Sequence, residues 1–288
     1  MKDLLDLMHI SVVVPLYNVE RYIDACIEGL LTQKFPCVHY EIIMVNNNST
    51  DASAQIVQRY PKIKLLNEQK QGAYAARNRG IKEAKGEIIA FTDPDCVPKE
   101  DWLQQIAVAM ANPEVGIVVG SYELARESFA LSLLLAYEHE KHSYVFNSKI
   151  KEIYFGYTNN MAVRKSLLGQ IGPFVERARG SDTIFVHRCV NQYSCDLVRY
   201  RPEMRVRHLE IDFVGKQYEK HFIYGQSRRK YRNIAYVRPL TNRERFRVFL
   251  NTVKNQRYSP VKAAYLFTLL LVGAVYWFSG SWSVTLRE

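Results

Sequence analysis

Between Ile10 and Val119 the chain alternates short apolar runs with stretches whose apolar positions recur every three or four residues. Ile10–Val14 is a β-branched run that reads as a strand ended by Pro15. Arg21–Gln33 follows with Tyr22, Ile23, Cys26, Ile27, Leu30 and Leu31 on one helical face and Asn18 as its expected N-cap. Tyr40–Val45, Ile63–Leu66, Glu87–Phe91 and Gly116–Val119 read as further strands. Helices are predicted from Ser49-Thr50-Asp51 to Tyr60 and from Ala73 to Lys85, the second ended by Gly86. Strands separated by helices imply parallel βαβ units, hence an α/β, doubly wound, mostly parallel sheet with flanking helices. Ligands in such sheets sit beyond the carboxyl ends of the strands.

Three strand ends carry polar signals: Pro15-Leu16-Tyr17-Asn18, Asn46-Asn47-Asn48-Ser49-Thr50-Asp51 and Thr92-Asp93-Pro94-Asp95. No G-x-G-x-x-G and no G-x-x-x-x-G-K follows any strand, which disfavours a dinucleotide-binding dehydrogenase and a P-loop enzyme. Asp93 and Asp95 place two carboxylates two residues apart at a strand end. Oxygen ligands so spaced suit Mg²⁺ or Mn²⁺, and the proline between them presets φ without removing a donor that the sheet needs. The same three residues also make an ordinary turn.

The segments VVVPLYN, VNNNSTD, GAYAARNRG and FTDPDC occur in that order, and together they resemble the family-2 glycosyltransferases, which have the GT-A fold. The resemblance runs from about Ile10 to Asp182. It implies that Pro15, Tyr17 and Asn47 line the nucleotide base and ribose, that Arg77 lies near a diphosphate, that Asp93 reaches ribose or metal, and that Asp95 binds Mn²⁺ or Mg²⁺. At Asn46 and Asn47 the family usually has an acid in at least one place, a departure that bears on base selectivity more than on activity. Asn48, Ser49 and Asp51 read as turn and helix-cap residues.

An inverting transfer also needs a general base for the acceptor hydroxyl. The resemblance assigns it to Asp182 in Gly180-Ser181-Asp182, where Ser181 replaces a glutamate of many relatives and becomes an acceptor-side candidate; Asp182 is equally natural as a helix cap. Gly156 to Arg164 resembles an N-x-A-x-R segment bordering sugar and acceptor, with Asn160 as the sugar contact. His208, after a strand-like Met204–Val206, matches a metal-binding histidine of some relatives. Gln226-Ser227-Arg228-Arg229 lacks the tryptophan of the processive synthases' Q-x-x-R-W string, so one transfer per encounter is expected.

The chain has 288 residues, 48% of them hydrophobic, enough for one α/β core with an appendage. Five scattered cysteines without C-x-x-C exclude a disulfide framework and a zinc ribbon and fit a reducing compartment. Met1–His9 lacks the basic start and apolar run of a signal peptide, so a cytosolic or cytoplasmic-membrane-face location is expected. The net charge of +10 lies almost wholly in 199–257, which holds sixteen Lys/Arg against five Asp/Glu. Arg228, Arg229, Lys230 and Arg232 are its densest part. Ala263–Phe278 then runs 16 residues without a charge. It is a marginal span, an interfacial helix or a buried core helix; Tyr265 at one end and Tyr276, Trp277 and Trp282 at the other favour membrane contact. A basic block leading into an apolar helix argues against nucleic acid as partner. Only Arg287 follows the apolar tract, so the positive-inside bias keeps the rest of the chain cytoplasmic.

The expected organisation is therefore a GT-A-type catalytic domain at 1–225 and a basic, helical, membrane-associating extension at 226–288, by one peripheral helix or a single C-terminal span. The expected partners are a nucleotide-sugar donor, probed first as UDP-linked, a glycan or lipid-linked acceptor and a membrane surface. Nothing in the sequence fixes the oligomeric state.

Overall fold

The computed structural model describes residues 8–34, 39–126, 128–231 and 237–285, with only the backbone given at 228–231 and 285. The side chains of Arg228, Arg229 and Lys230, and all of Arg232, Cys37 and Arg287, lie outside the described residues. The chain forms two compact units, 1–122 with 155–209 and 123–154 with 210–288. The boundary expected at 225/226 falls inside a continuous helix, Val214–Tyr231.

The first unit is built on an eight-stranded sheet in the order β3-β2-β1-β4-β7-β6-β8-β5. Its strands are β1 (His9–Leu16), β2 (His39–Asn46), β3 (Ile63–Asn67), β4 (Ile88–Thr92), β5 (Cys96–Pro98), β6 (Ile117–Leu124), β7 (Asn160–Arg164) and β8 (Val198–His208). β3, β2, β1 and β4 are parallel; β7 is antiparallel to both β4 and β6, and β5 is antiparallel to β8. The expected α/β sheet is present, and the strand pairs β4–β7, β7–β6 and β8–β5 of its second half run antiparallel. Pro15 does not end β1. It pairs with Val45 of β2, while the pairing of β1 with β4 stops at Val13, so the missing N–H falls where no β4 acceptor awaits it.

Among the described residues, six α-helices flank this sheet: α1 (Ile23–Leu31), α2 (Ser53–Gln58), α3 (Ala73–Glu83), α4 (Trp102–Met110), α6 (Lys165–Ile171) and α7 (Ser181–Gln192). Between α4 and α6 in the chain lies α5 (Phe129–Asn147) of the second unit. Alternation along β1 decides which face each residue serves. Ile10, Val12 and Val14 join Ile23, Ile27 and Leu30 of α1 and Trp102, Leu103 and Ile106 of α4 in one core. Each such side chain removed from water stabilises the fold by about 1.5–3 kcal/mol. On the other face Val13 meets α3, where a Cβ on Gly80 would stand 2.4 Å from its methyl group.

Asn18 is not a helix cap. The N-cap of α1 is Tyr22, without a side-chain bond, and Asn18, at φ 51°, accepts from the Thr50 N–H at 2.8 Å. It clasps the β1 and β2 ends together. Asp51 joins the same clasp, accepting from the Glu20 N–H at 3.0 Å and from the Ser53 N–H at 3.0 Å.

Asn160 is a core residue rather than the expected sugar contact. It is fully buried; its Nδ2 donates to the carbonyls of Ser121 at 2.7 Å and Met204 at 2.9 Å, and its Oδ1 accepts from Trp102 Nε1 at 2.8 Å. It thus fastens β7 to β6, β8 and α4. Arg164, at the other end of β7, is likewise structural, its Nε donating to the Val115 carbonyl at 2.8 Å.

The second unit consists of α5, α8 (Val214–Tyr231), α9 (Asn242–Asn255) and α10 (Pro260–Thr285). Leu133, Leu134, Tyr137, Tyr218, Val248, Leu266 and Leu269 form its core. A capping box starts α9, Thr241 and Glu244 binding each other's backbone. α8 and α10 approach backbone to backbone: a Cβ on Gly225 would lie 2.0 Å from the Trp277 carbonyl oxygen. The segment Pro260–Val284 is long and apolar enough to cross a membrane, with a mean hydropathy of 1.7 and 17% of that stretch buried. A helix so little covered is not a core helix, which removes one of the three readings of the apolar tract.

Two substitutions test the sheet. Asn160→Ala leaves Trp102 Nε1 and two strand carbonyls unpaired in the core, and we expect it to lower unfolding stability by about 3 kcal/mol in urea denaturation. Gly120→Ala places a methyl group 2.1 Å from the Met204 carbonyl oxygen. A loss of about 1–3 kcal/mol is expected there, whereas Gly169→Ala, whose Cβ meets nothing within 4 Å, should leave stability unchanged or slightly raised.

Candidate active site

The strand β4 is buried along its whole length and leaves the core at Thr92. The next residues turn at once, the Cys96 N–H donating to the Asp93 carbonyl at 3.0 Å. The chain then enters β5, whose first residue, Cys96, pairs in register with His208, the last residue of β8. The Leu209 N–H donates to the Asp95 carbonyl at 2.8 Å and closes the corner. Strand register therefore brings His208 Nδ1 to 3.5 Å from Asp95 Oδ2, with Cys96 Sγ 3.6 Å from Asp95 Oδ1. One ligand atom from each of the three lies within 4.8 Å of the others. A carboxylate and an imidazole fit a divalent cation such as Mn²⁺, and a neighbouring sulfur fits a borderline ion better than Mg²⁺. The expected pairing of Asp95 with His208 is thus brought together.

Asp93 points elsewhere: its carboxylate forms an ion pair with Arg77. Behind it the Cys26 thiol donates to the Asp93 carbonyl at 3.7 Å, and burial, with Asp95 and Asp93 nearby, pushes that thiol far above its ordinary pKa.

Arg77 is placed by the start of α3. The N-cap Gly72 has φ 136°, a conformation that L side chains rarely adopt. Its N–H donates at 2.7 Å to Asn47 Oδ1, and Asn47 Nδ2 donates to the carbonyls of Glu68 and Lys70, each at 2.8 Å. Asn47 was expected to meet a nucleotide base. It is 2% exposed with both ends of its amide in use, so it holds the β3–α3 loop instead. From this start Arg77 enters the core, 4% exposed, with its guanidinium carbon 5.2 Å from the centre of the Tyr74 ring. Its Nε has no hydrogen-bond partner among the described residues.

Asp182 lies in the first turn of α7, whose N-cap is Gly180 at φ 81°. Its carboxylate accepts from the Thr183 N–H at 2.8 Å and the Thr158 N–H at 3.2 Å. Burial raises its pKa above the ordinary carboxylate range, against the opposing pull of the Thr183 amide, Arg77, the Thr158 amide and Tyr74. A carboxyl so placed is a better proton acceptor than a solvated one. The N-cap of α7 is Gly180 rather than Asp182, and the Asp182 carboxylate takes the Thr183 N–H of the helix's own first turn together with the Thr158 N–H of a distant loop. Ser181 is fully buried, and its hydroxyl has no hydrogen-bond partner in the described structure.

Of the other residues expected to bind the nucleotide, Pro15 is buried within β1 and Tyr17 is 52% exposed just beyond it. Tyr74 and Cys96 were not read from the sequence as site residues. Each had a local signal: Tyr74 precedes Arg77 by one helical turn, and Cys96 follows Asp95 directly.

The chain matches the model of glycosyl transferase family 2 over residues 11–172. It is 30% identical to the glycosyltransferase AglE of Haloferax volcanii over 57% of this chain, and that match spans only 55% of AglE's length. Among solved structures it resembles the mannosyltransferase PcManGT of Pyrobaculum calidifontis, determined in complex with GDP-Man and Mn²⁺. The TM-score is 0.63 at 18% identity, covering 97% of this chain and 87% of that one. It also resembles S. aureus TarS 1–349 in complex with UDP-GlcNAc, with a TM-score of 0.53 at 18% identity over 98% and 93% of the two chains. These likenesses establish the GT-A fold, and with more than half of the chain matched by the family model, the protein belongs to glycosyl transferase family 2.

Proposed function

We propose that the chain is an inverting transferase that moves a sugar from a nucleoside-diphosphate donor to an acceptor hydroxyl in a single displacement. The observation that carries this reading is the Asp182 carboxylate, its pKa raised by burial, held in the same unit as the Arg77–Asp93 pair and the Asp95–His208 corner. Asp182 takes the acceptor proton as the acceptor oxygen bonds to the anomeric carbon. The bond from that carbon to the diphosphate breaks, and the nucleoside diphosphate leaves with the electron pair. Arg77 supplies charge for the leaving group, its unpartnered Nε being a donor still to be satisfied. Asp95 and His208, with Cys96 beside them, would hold Mn²⁺ in preference to Mg²⁺; when bound, the ion neutralises charge developing on the diphosphate.

We assign a UDP-linked donor. Tyr17 offers an exposed ring for the base, and the amides at Asn46–Asn48 are engaged with neighbouring loops. No carboxylate stands among these three to take the paired donors of a guanine.

Three measurements decide the chemistry. We expect Asp182→Asn to lower transfer at least about a thousandfold, Asp95→Ala or excess chelator to abolish it, and an α-linked donor to yield a β-linked product by NMR. Wild-type turnover in Asp182→Asn, or an α-linked product, overturns the single displacement. The raised pKa also sets a sign for stability: a carboxyl made less acidic by folding favours the folded state below its unfolded pKa and opposes it as pH rises. Asp182→Asn should therefore melt no lower than wild type at pH 7.

For location we propose the cytoplasmic face of a membrane, with α10 inserted and a glycan or lipid-linked acceptor delivered in the membrane plane. The support is the exposed side chains of α10, among them Val261, Val275 and Trp282 at 78%, 63% and 73%, beside a block in which basic residues outnumber acids. Wild type should float with anionic vesicles at both low and high salt. Leu271→Glu with Val275→Glu should float only at low salt, and wild type remaining in the soluble fraction at low salt overturns the location.

A further inference from the structure

A turn leads into β7. The Asn160 N–H donates to the Tyr157 carbonyl at 3.2 Å, which puts Thr158 and Asn159 at the turn's centre. Thr158 serves the base, its N–H donating to the Asp182 carboxylate at 3.2 Å. The Asn159 carbonyl accepts from Thr92 Oγ1 at 3.1 Å, one residue before Asp93. Its side-chain Oδ1 accepts from the Tyr122 hydroxyl at 2.8 Å, and the Tyr122 ring centre stands 6.5 Å from that of the His208 imidazole. Asn159 is thus tied to Asp182 through its chain neighbour, to the β4 end through its backbone and to the metal corner through its side chain.

The backbone does not call for an asparagine here. The non-glycine residues with positive φ are Asn18, Asn48, Lys149 and Arg257 among those described, so Asn159 does not occupy the left-handed region that asparagine tolerates. A turn asparagine ordinarily bonds its own backbone two residues on. This one bonds a tyrosine 37 residues away. The neighbouring Asn160 spends both ends of its amide inside the core, whereas Asn159 is half-buried and its Nδ2 makes no hydrogen bond among the described residues. One end of the amide is fixed, and its donor end is open.

We propose that Asn159 reads the transferred sugar, its Nδ2 donating to a sugar hydroxyl of the donor, with Tyr122 as the positioning residue that sets the amide's orientation. In a single displacement the sugar lies between the base and the groups that hold its diphosphate, and Asn159 is tied to both sides. The proposal rests on the UDP-linked donor assigned above. A site built to hydrogen-bond one hydroxyl rejects the analogue lacking it, because its own donor is then left unpaired.

Isothermal titration in the presence of Mn²⁺ separates sugar contact from nucleotide contact, with UDP, UDP-glucose, UDP-galactose and UDP-N-acetylglucosamine as probes. Asn159→Ala should weaken the best-bound of the three UDP-sugars about tenfold and leave UDP unchanged. Tyr122→Phe keeps the ring beside His208 and frees the amide to turn. It should weaken the same donor about threefold, again with UDP unchanged. Deoxy analogues of that donor identify the hydroxyl: one should bind wild type about tenfold more weakly than its parent, and Asn159→Ala should bind the two equally. Equal losses for UDP and UDP-sugar in Asn159→Ala overturn the proposal, as does an unchanged affinity for the UDP-sugar. Should Asn159→Ala fail to fold, Tyr122→Phe carries the same comparison. If wild type binds neither UDP nor any of the three UDP-sugars, the donor reading has failed and the assignment falls with it. If wild type binds them and the Asn159→Ala comparison is flat, only the assignment is lost.

Discussion

A guanidinium in the core is the constraint around which the first unit is arranged. Removing such an ion from water costs several kcal/mol unless its surroundings answer the charge. At Arg77 the Asp93 carboxylate and the Tyr74 ring do so. Asp93 is available because β4, buried throughout, ends one residue earlier; the ring is available because it packs on Phe174. The cation therefore dictates where the β4 turn, the first turn of α3 and the loop before α7 must lie. Loss of any partner would leave a buried charge unanswered, a larger cost than loss of an apolar contact of similar size.

What the sequence disclosed and what it withheld divide along a physical line. Strand ends with clustered acids, the glycine before α3, the acid in the first turn of α7 and the apolar C-terminal tract are local patterns, and each could be read. Partners across the chain were not legible. Asn18, Asn47 and Asn160 are amides in turn-like or strand-end contexts, where surface functions are the ordinary expectation. Each instead binds backbone or side chains distant in sequence. β8 shows the same limit differently. Met204, Val206 and His208 are buried while Arg205 and Arg207 are exposed, a period of two. The arginines dominated the reading as a basic block, so most of an eleven-residue strand was missed.

The second unit follows simpler rules. Its core is small, and α8 meets α10 where glycines let the backbones close. That contact leaves most of α10 uncovered. One helix thus has two sides, a packed stripe and an open apolar face, and its composition differs between them: Gly273 and Gly280 on the packed stripe, Val275 and Phe278 on the open side.

The pairing of Cys96 with His208 has a consequence for assembly of the native chain. Because strand side chains alternate between faces, a slip of β8 by one position would exchange an arginine for the histidine opposite β5. Arg207 would then stand where the imidazole belongs, and a fixed positive charge would repel any ion from Asp95. The last pairing at the sheet's edge thus decides which side chain faces Asp95.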